Sequence, residues 1–206
     1  MTVLAITTLY DSHQHAVETL DDLLAEGVPP DAISLIANNA ENRYQATHDA
    51  PPLGAGASEG ATVGGTVGVA AGLLASLGLL AFPGIGQVVG FGWLAMTAAG
   101  AATGVGVGAA TGGLIAALTS AGVSEAHANV YAEGVRRGGT LVTARVDEDE
   151  AELVEAIMQR HHPVNPDDRG DAYKQTDWTA FDASAAPYTP EEMAIDRARY
   201  LGEPRA

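Results

Sequence analysis

The 206-residue chain is expected to be an α+β protein: a ferredoxin-like split β-α-β domain with an inserted glycine-zipper α-helical hairpin. Three observations predict this. Residues 2–39 read as strand, helix, strand, and residues 140–165 repeat that order; two such units in one antiparallel sheet make the split layout. Between them, from Gly60 to Ser124, there is no charged residue and no histidine. Within that stretch the glycines keep a beat of four: Gly60, Gly64, Gly68 and Gly72, then Gly100, Gly104, Gly108 and Gly112. Residues four apart share one side of an α-helix, so each run makes a bare stripe on which another backbone can lie close.

The organisation that follows is a first half-domain at 1–39, a linker at 40–59, the glycine-zipper hairpin at 60–119, a second half-domain at 120–165 and an acidic, largely extended tail with one short helix at 166–206. Val3 to Tyr10 is β-branched and apolar, as a strand requires. Asp11 or Ser12 caps a helix built on Ala16, Val17, Leu20, Leu23 and Leu24, which ends at Gly27. Pro29-Pro30-Asp31 breaks the chain before a second strand at Ile33–Ile36. Asn38 to Ser58 is polar, with Pro51-Pro52 and several glycines.

In the hairpin, one helix runs from Gly60 to Phe82 and a longer one from Val88 to Leu118, with a bend or break near Gly90-Phe91-Gly92 left open. Pro83, Gly84 and Gly86 form the turn between them. The first is long enough to cross a hydrocarbon layer of about 30 Å, and Phe82, Phe91 and Trp93 gather near the turn as interfacial aromatics do. A glycine exposed in a helix costs about 1 kcal/mol relative to alanine. The runs therefore call for close packing, in lipid or in a protein oligomer. Many Gly, Ala and Thr residues dilute the hydropathy, which suits the oligomer.

Beyond the hairpin, Ser124 caps a helix carrying Ala128, Val130, Tyr131 and Val135, which stops at Gly138-Gly139. Thr140 to Val146 is a strand. Asp147 and Glu150 frame a capping box for a helix on Ala151, Leu153, Val154, Ile157 and Met158. A short strand follows near Val164. Thr189-Pro190-Glu191-Glu192 starts the short tail helix. Trp178 and Phe181, isolated aromatics in a polar segment, are candidate tail anchors, on a neighbouring subunit or not at all. The first strand puts apolar residues on both faces, so the second face of the sheet is either covered, by the hairpin, a neighbouring subunit or the tail, or left as a partly apolar open face.

The formal charge is −16, from 26 acidic and 10 basic residues. A basic footprint for nucleic acid is absent. There is no cysteine, which excludes disulfides, thiolate chemistry and Cys-based zinc sites. The start of the chain lacks a signal-peptide pattern, so a cytoplasmic location is expected. No lysine follows the glycine runs, as a phosphate loop would need. His13 and His15 flank the first helix start and His161-His162 end the last one. The two pairs approach one another in a ferredoxin-like fold, yet solvated histidines at helix ends are the plainer reading. Arg136-Arg137 complement a helix C-terminus. We therefore assign no catalytic, cofactor-binding or metal residues, and no cofactor.

The segments Leu9-Tyr10-Asp11, Ala25-Glu26-Gly27-Val28, Asp31-Ala32-Ile33-Ser34, Pro83-Gly84-Ile85-Gly86 and, most specifically, Tyr131-Ala132-Glu133-Gly134-Val135-Arg136-Arg137-Gly138-Gly139 resemble the bacterial general stress protein 17M-like family, also called heat-induced stress proteins. The likeness covers most of residues 2–165. It implies a stress-linked role without enzymatic activity, and a membrane association for members with a long Gly/Ala-rich insert. The expected function is thus a non-enzymatic, stress-associated protein that inserts its hairpin in the cytoplasmic membrane and self-associates, with the acidic domain in the cytoplasm. The alternative is a soluble self-assembling scaffold, a ring, filament or shell. A small-ligand or metal sensor is the weaker third reading.

Overall fold

A computed structural model describes residues 3–40, 77–102 and 113–201. Five strands and seven α-helices occur among them. β1 (Val3–Tyr10), α1 (His13–Ala25), a 3-10 turn (Pro30–Ala32) and β2 (Ile33–Asn38) come first, then β3 (Gly78–Phe82), β4 (Gly86–Phe91), α2 (Gly92–Ala102), α3 (Gly113–Ser120) and α4 (Glu125–Arg136). β5 (Thr140–Asp147), α5 (Ala151–Gln159), α6 (Pro166–Lys174) and α7 (Pro190–Leu201) complete the order.

The strands form one antiparallel sheet in the order β1-β5-β2-β4-β3. β5 lies between β1 and β2, pairing Thr7 with Thr143 on one side and Leu35 with Val142 on the other. The expected strand near Val164 is reduced to one bridge, in which the Val164 amide donates to the Leu9 carbonyl at 2.8 Å.

Both faces of the sheet are covered, as the apolar residues on both sides of β1 demand. On one face Tyr10, Ile33, Leu35, Val89, Val142 and Ala144 pack under α1 (Ala16, Leu20, Leu23) and α5 (Val154, Ile157, Met158). On the other, Leu9, Ile36, Val88 and Leu141 pack under α2 (Leu94, Ala95, Ala98), α3 (Leu114, Ala117, Leu118) and α4 (Ala128, Ala132, Val135). Burying these side chains removes apolar surface from water, at roughly 25 cal/mol per Å².

The largest correction concerns the segment read as a helical hairpin. Residues 78–91 are not helical; they are β3 and β4, and Pro83, Gly84 and Gly86 turn between strands rather than between helices. β-branched Val88 and Val89 suit the pleat, and the ladder from Phe82–Gly86 to Gly78–Gly90 satisfies the backbone. The second helix does not start at Val88 either: Val88 to Phe91 belong to β4, which gives way directly to α2 at Gly92, and residues 103–112 lie outside the described residues. Gly92 makes that sharp change of direction. Its φ is +85°, and a β-carbon there would run into the Ile33 carbonyl, so no other residue fits without strain.

Smaller corrections follow the same logic. The Asp147/Glu150 capping box does not form; Glu150 is the N-cap of α5 without a side-chain cap, and its amide bonds the Asp147 carbonyl. Ser12 precedes α1 without a capping bond, while Asp11 is taken by Arg169. The tail holds two helices rather than one, because Asn165 caps α6 through the amides of Asp167 and Asp168 and Pro166 occupies its first turn. The expected start of the last helix is present, with the Thr189 amide donating to Glu192 and the Glu192 amide to the Thr189 hydroxyl.

Candidate functional site

Of the eight helix-packing glycines, Gly60, Gly64, Gly68, Gly72, Gly104, Gly108 and Gly112 lie outside the described residues. Gly100 is described. It sits on the solvent side of α2, and no described residue lies within 4 Å of where its β-carbon would stand. One turn earlier on that side is Met96, 45% exposed. Trp93, half-buried, completes the row; its indole donates to the Ala32 carbonyl and Arg145 stacks 4.9 Å from its ring. α2 carries no charge along its whole length. The helix thus presents an uncharged surface that narrows to bare backbone at the glycine.

The tail anchors hold the tail to its own chain. The Phe181 ring packs against the core on the α2–α4 side, and its amide donates to Asn129 at 3.1 Å. From there the backbone of Asp182 and Ala183 passes so close to Gly84 that a β-carbon would meet it at under 3 Å. Trp178 packs edge-on against Tyr173 at 5.4 Å between centroids. Its indole nitrogen is buried and has no hydrogen-bond partner among the described residues.

Sequence reasoning missed the cluster that fastens α6 and α7. Glu133 is fully buried on α4 and accepts from Arg137 Nε at 2.7 Å and from Arg136 Nη1 at 3.3 Å. Arg137 also reaches Asp196 of α7 at 3.0 Å. Its guanidinium lies 4.2 Å from the Tyr173 ring centroid. Burial works against the charge of Arg137, but the Glu133 hydrogen bond and the charges of Glu133 and Asp196 outweigh it and raise its pKa. Arg169 of α6 forks onto both carboxylate oxygens of Asp11, at 2.8 and 2.6 Å, and stacks 3.9 Å from the Tyr200 ring centroid. The Glu133–Arg137 spacing of four was a visible signal. The long-range partners Asp196 and Asp11 were not.

The Tyr131-to-Gly139 segment has a physical content at nearly every position. The Tyr131 hydroxyl donates to the Thr7 carbonyl at 3.2 Å. Gly134 lets Leu9 lie directly against the helix, where a β-carbon would overlap the Leu9 side chain. Gly138 ends the helix with a φ of +98°.

The two histidine pairs do approach. The His15 and His162 rings are 5.4 Å apart, and His161 lies 3.0 Å from Asp22 and 3.5 Å from Glu18. Among the described residues no group of three or more His, Asp or Glu is arranged to hold a metal. A cleft of about 420 Å³ opens between α4, α6 and the Trp178–Ala180 segment. In its lining His127 pairs with Asp167 and Lys174 with Asp171, and Glu125 also borders it. No described helix is long and apolar enough to cross a membrane. Against models of known protein families, curated proteins and solved structures, the chain matches none.

Proposed function

We propose that the protein is a non-enzymatic, stress-linked scaffold whose glycine-run segments pack copies of the chain against one another, away from water. The observation that carries this reading is the exposed row of Met96 and Gly100 on a helix without a single charge. A soluble domain with 26 acidic residues has ample charge elsewhere to keep this surface polar. The stress link rests on the family resemblance alone.

A membrane-spanning hairpin is the less economical reading for this fold. The chain leaves the sheet after β2 and rejoins the same sheet at β3. The apolar part of the sequence between, 60–76, has seventeen residues, fewer than the roughly twenty that one helical crossing takes. A segment with both ends on one body has to cross twice, which needs about forty residues. Residues 103–112, between α2 and α3, are shorter still. A shallow contact with lipid through Met96 and the half-buried Trp93 is the second reading, favoured by the exposure of Met96 on an uncharged helix.

The ferredoxin-like layout belongs to the same proposal. β1-β5-β2 with Val164 on the outer side of β1 has the strand order of a split β-α-β domain. β4 and β3 then extend the sheet beyond β2.

Fractionation without detergent, followed by sedimentation, tests the reading. The wild type is expected in the supernatant as particles of more than one chain. Gly100→Leu, Gly104→Leu and Gly68→Leu are expected to shrink them while leaving the sheet folded. Unchanged particle size in all three variants overturns the glycine-mediated assembly. Recovery only in a detergent-soluble pellet favours the lipid contact.

A further inference from the structure

We infer that residues 178–201, the strap after α6 together with α7, swing away from the body as a unit about a hinge at Asp177, with the Arg137–Asp196 pair as the latch. The sheet is covered without them, by α1 and α5 on one face and by α2, α3 and α4 on the other. From this segment only the half-buried Phe181 ring joins either core. Between Lys174 and Glu192 no residue is deeply buried, and α7 adds only Met193 and Asp196. Opening therefore gives up little apolar burial, the mark of a segment that opens below the free energy of global unfolding.

Its attachments are mainly polar. Arg136 Nη2 donates to the Ala186 carbonyl at 2.8 Å, and the same guanidinium lies 4.8 Å from the Tyr188 ring centroid. Arg137 reaches Asp196 at 3.0 Å. Three buried side-chain polar atoms lack a hydrogen-bond partner among the described residues, and all lie along this seam. They are Arg136 Nε, the Trp178 indole nitrogen and the hydroxyl of Tyr173, whose ring packs edge-on against Trp178 and Tyr200. A buried donor without a partner costs free energy, which opening to water recovers.

What stays behind fixes the hinge. α6 is held by fully buried Tyr173, by the Arg169–Asp11 fork and by its fit to α4, where a β-carbon on Gly170 would stand 3.2 Å from Val130. Just beyond α6, Asp177 has a φ of +60°, in the left-handed region that a residue with a side chain seldom takes. The open strap relieves that conformation.

The seat that the strap leaves is fitted to it. Ile115 of α3 and Phe181 line one cleft, and Asn129 accepts the Phe181 amide. The β3–β4 turn is bare where the strap crosses. A β-carbon on Gly84 would stand 2.7 Å from the Asp182 carbonyl oxygen, and one on Gly86 would stand 2.9 Å from Cβ of Pro187. The closed strap covers an apolar seat beside α3, and the open strap presents it. This device is independent of glycine-mediated assembly: it needs no second copy, and it is read within one chain.

Hydrogen exchange of the full chain, followed by mass spectrometry, tests it. In the wild type the amides of α7 are expected to exchange at least about tenfold faster than those of β5. Asp196→Ala is expected to hasten α7 about tenfold further and to leave β5 unchanged. Because the chain has no cysteine, a disulfide can pin the strap in the double variant Gly86→Cys/Pro187→Cys. The two β-carbons start 2.9 Å apart, and a disulfide sets them at about 3.8 Å, a small retreat of the strap. The oxidised and reduced forms of this variant share any backbone strain at residue 86, so their difference reports the strap alone. Oxidation is expected to slow exchange in α7 at least about tenfold, and reduction to restore it. Fraying at the far end of α7 is indifferent to a bond at residue 187. Four results each overturn the inference: α7 exchanging at the rate of β5 in the wild type, Asp196→Ala hastening α7 and β5 alike, a disulfide that does not form, and one that forms and leaves α7 unchanged.

Discussion

Arg137 Nη1 lies 3.0 Å from Asp196 Oδ1, joining the C-terminus of α4 to the last helix across 59 positions of sequence. The same guanidinium holds Glu133, which is fully buried and has both of its oxygens engaged by Arg136 and Arg137. Removing one member of such a network leaves a charge buried without compensation, which typically costs 3–5 kcal/mol, roughly. Arg137→Ala is therefore expected to destabilise the protein by about 3 kcal/mol in urea unfolding. Asp196→Ala removes the link to α7 while Glu133 keeps both arginines, and is expected to cost about 1–2 kcal/mol. Its signature is faster proteolytic cleavage between α6 and α7 than in the wild type.

Gly134 and Leu9 share a second tight contact. A β-carbon on Gly134 would occupy the space of the Leu9 side chain, which is fully buried. Gly134→Val is expected to lower stability by about 2–3 kcal/mol through overpacking, read as a lower urea midpoint with an unchanged slope. A neutral effect shows that α4 can shift off the sheet without loss.

Gly100 makes the opposite prediction. No described residue lies in the way of a side chain there. Gly100→Leu is expected to raise the stability of the isolated fold by up to about 1 kcal/mol, from helix propensity alone, while reducing particle size. A destabilised variant shows that the position is packed within the chain, contrary to the surface described above.

Tyrosine burial gives a pH dependence. Burial pushes Tyr10 up to about 12. Burial, then the charge of Asp167, does the same for Tyr131, to about 12. Tyr173 moves upward as well, driven by burial against the opposing pull of Arg169 and Arg137. The folded state therefore holds these phenolic protons more tightly than the unfolded chain. Their stabilisation is complete below the unfolded value near 10 and is lost as pH rises through the folded values. Stability is expected to be insensitive to these groups at neutral pH and to fall between about pH 10 and 12. Absorbance titration at 295 nm is expected to show a fraction of the six tyrosines ionising only with unfolding. A single titration near 10 for all six contradicts the described burial.

The parts of the fold legible in sequence are those with a clear period and a clear stop. α1 and α4 end at Gly27 and Gly138, both with positive φ, and the Ser124 cap accepts from the His127 amide as its position requires. β3 and β4 were hidden because an unbroken uncharged stretch carries no alternation to separate strand from helix. The pointers to them were short range: β-branched Val88 and Val89 next to the Pro83–Gly86 turn. α6 was hidden for the opposite reason. Its only deeply buried members are Arg169, Gly170 and Tyr173, too few for an apolar stripe, although Asn165-Pro166-Asp167-Asp168 is a good helix start. In the candidate site, Phe181 was visible as an isolated aromatic. Its seat beside Asn129 depends on α4 standing on the sheet, which no local pattern encodes.

Sedimentation of the full chain in detergent-free buffer is the most direct test of the central claim, that uncharged surface around Gly100 is covered by another copy. The account predicts particles of more than one chain that become smaller in Gly100→Leu. A single species of one chain's mass at micromolar concentration, identical in the wild type and the variant, contradicts it.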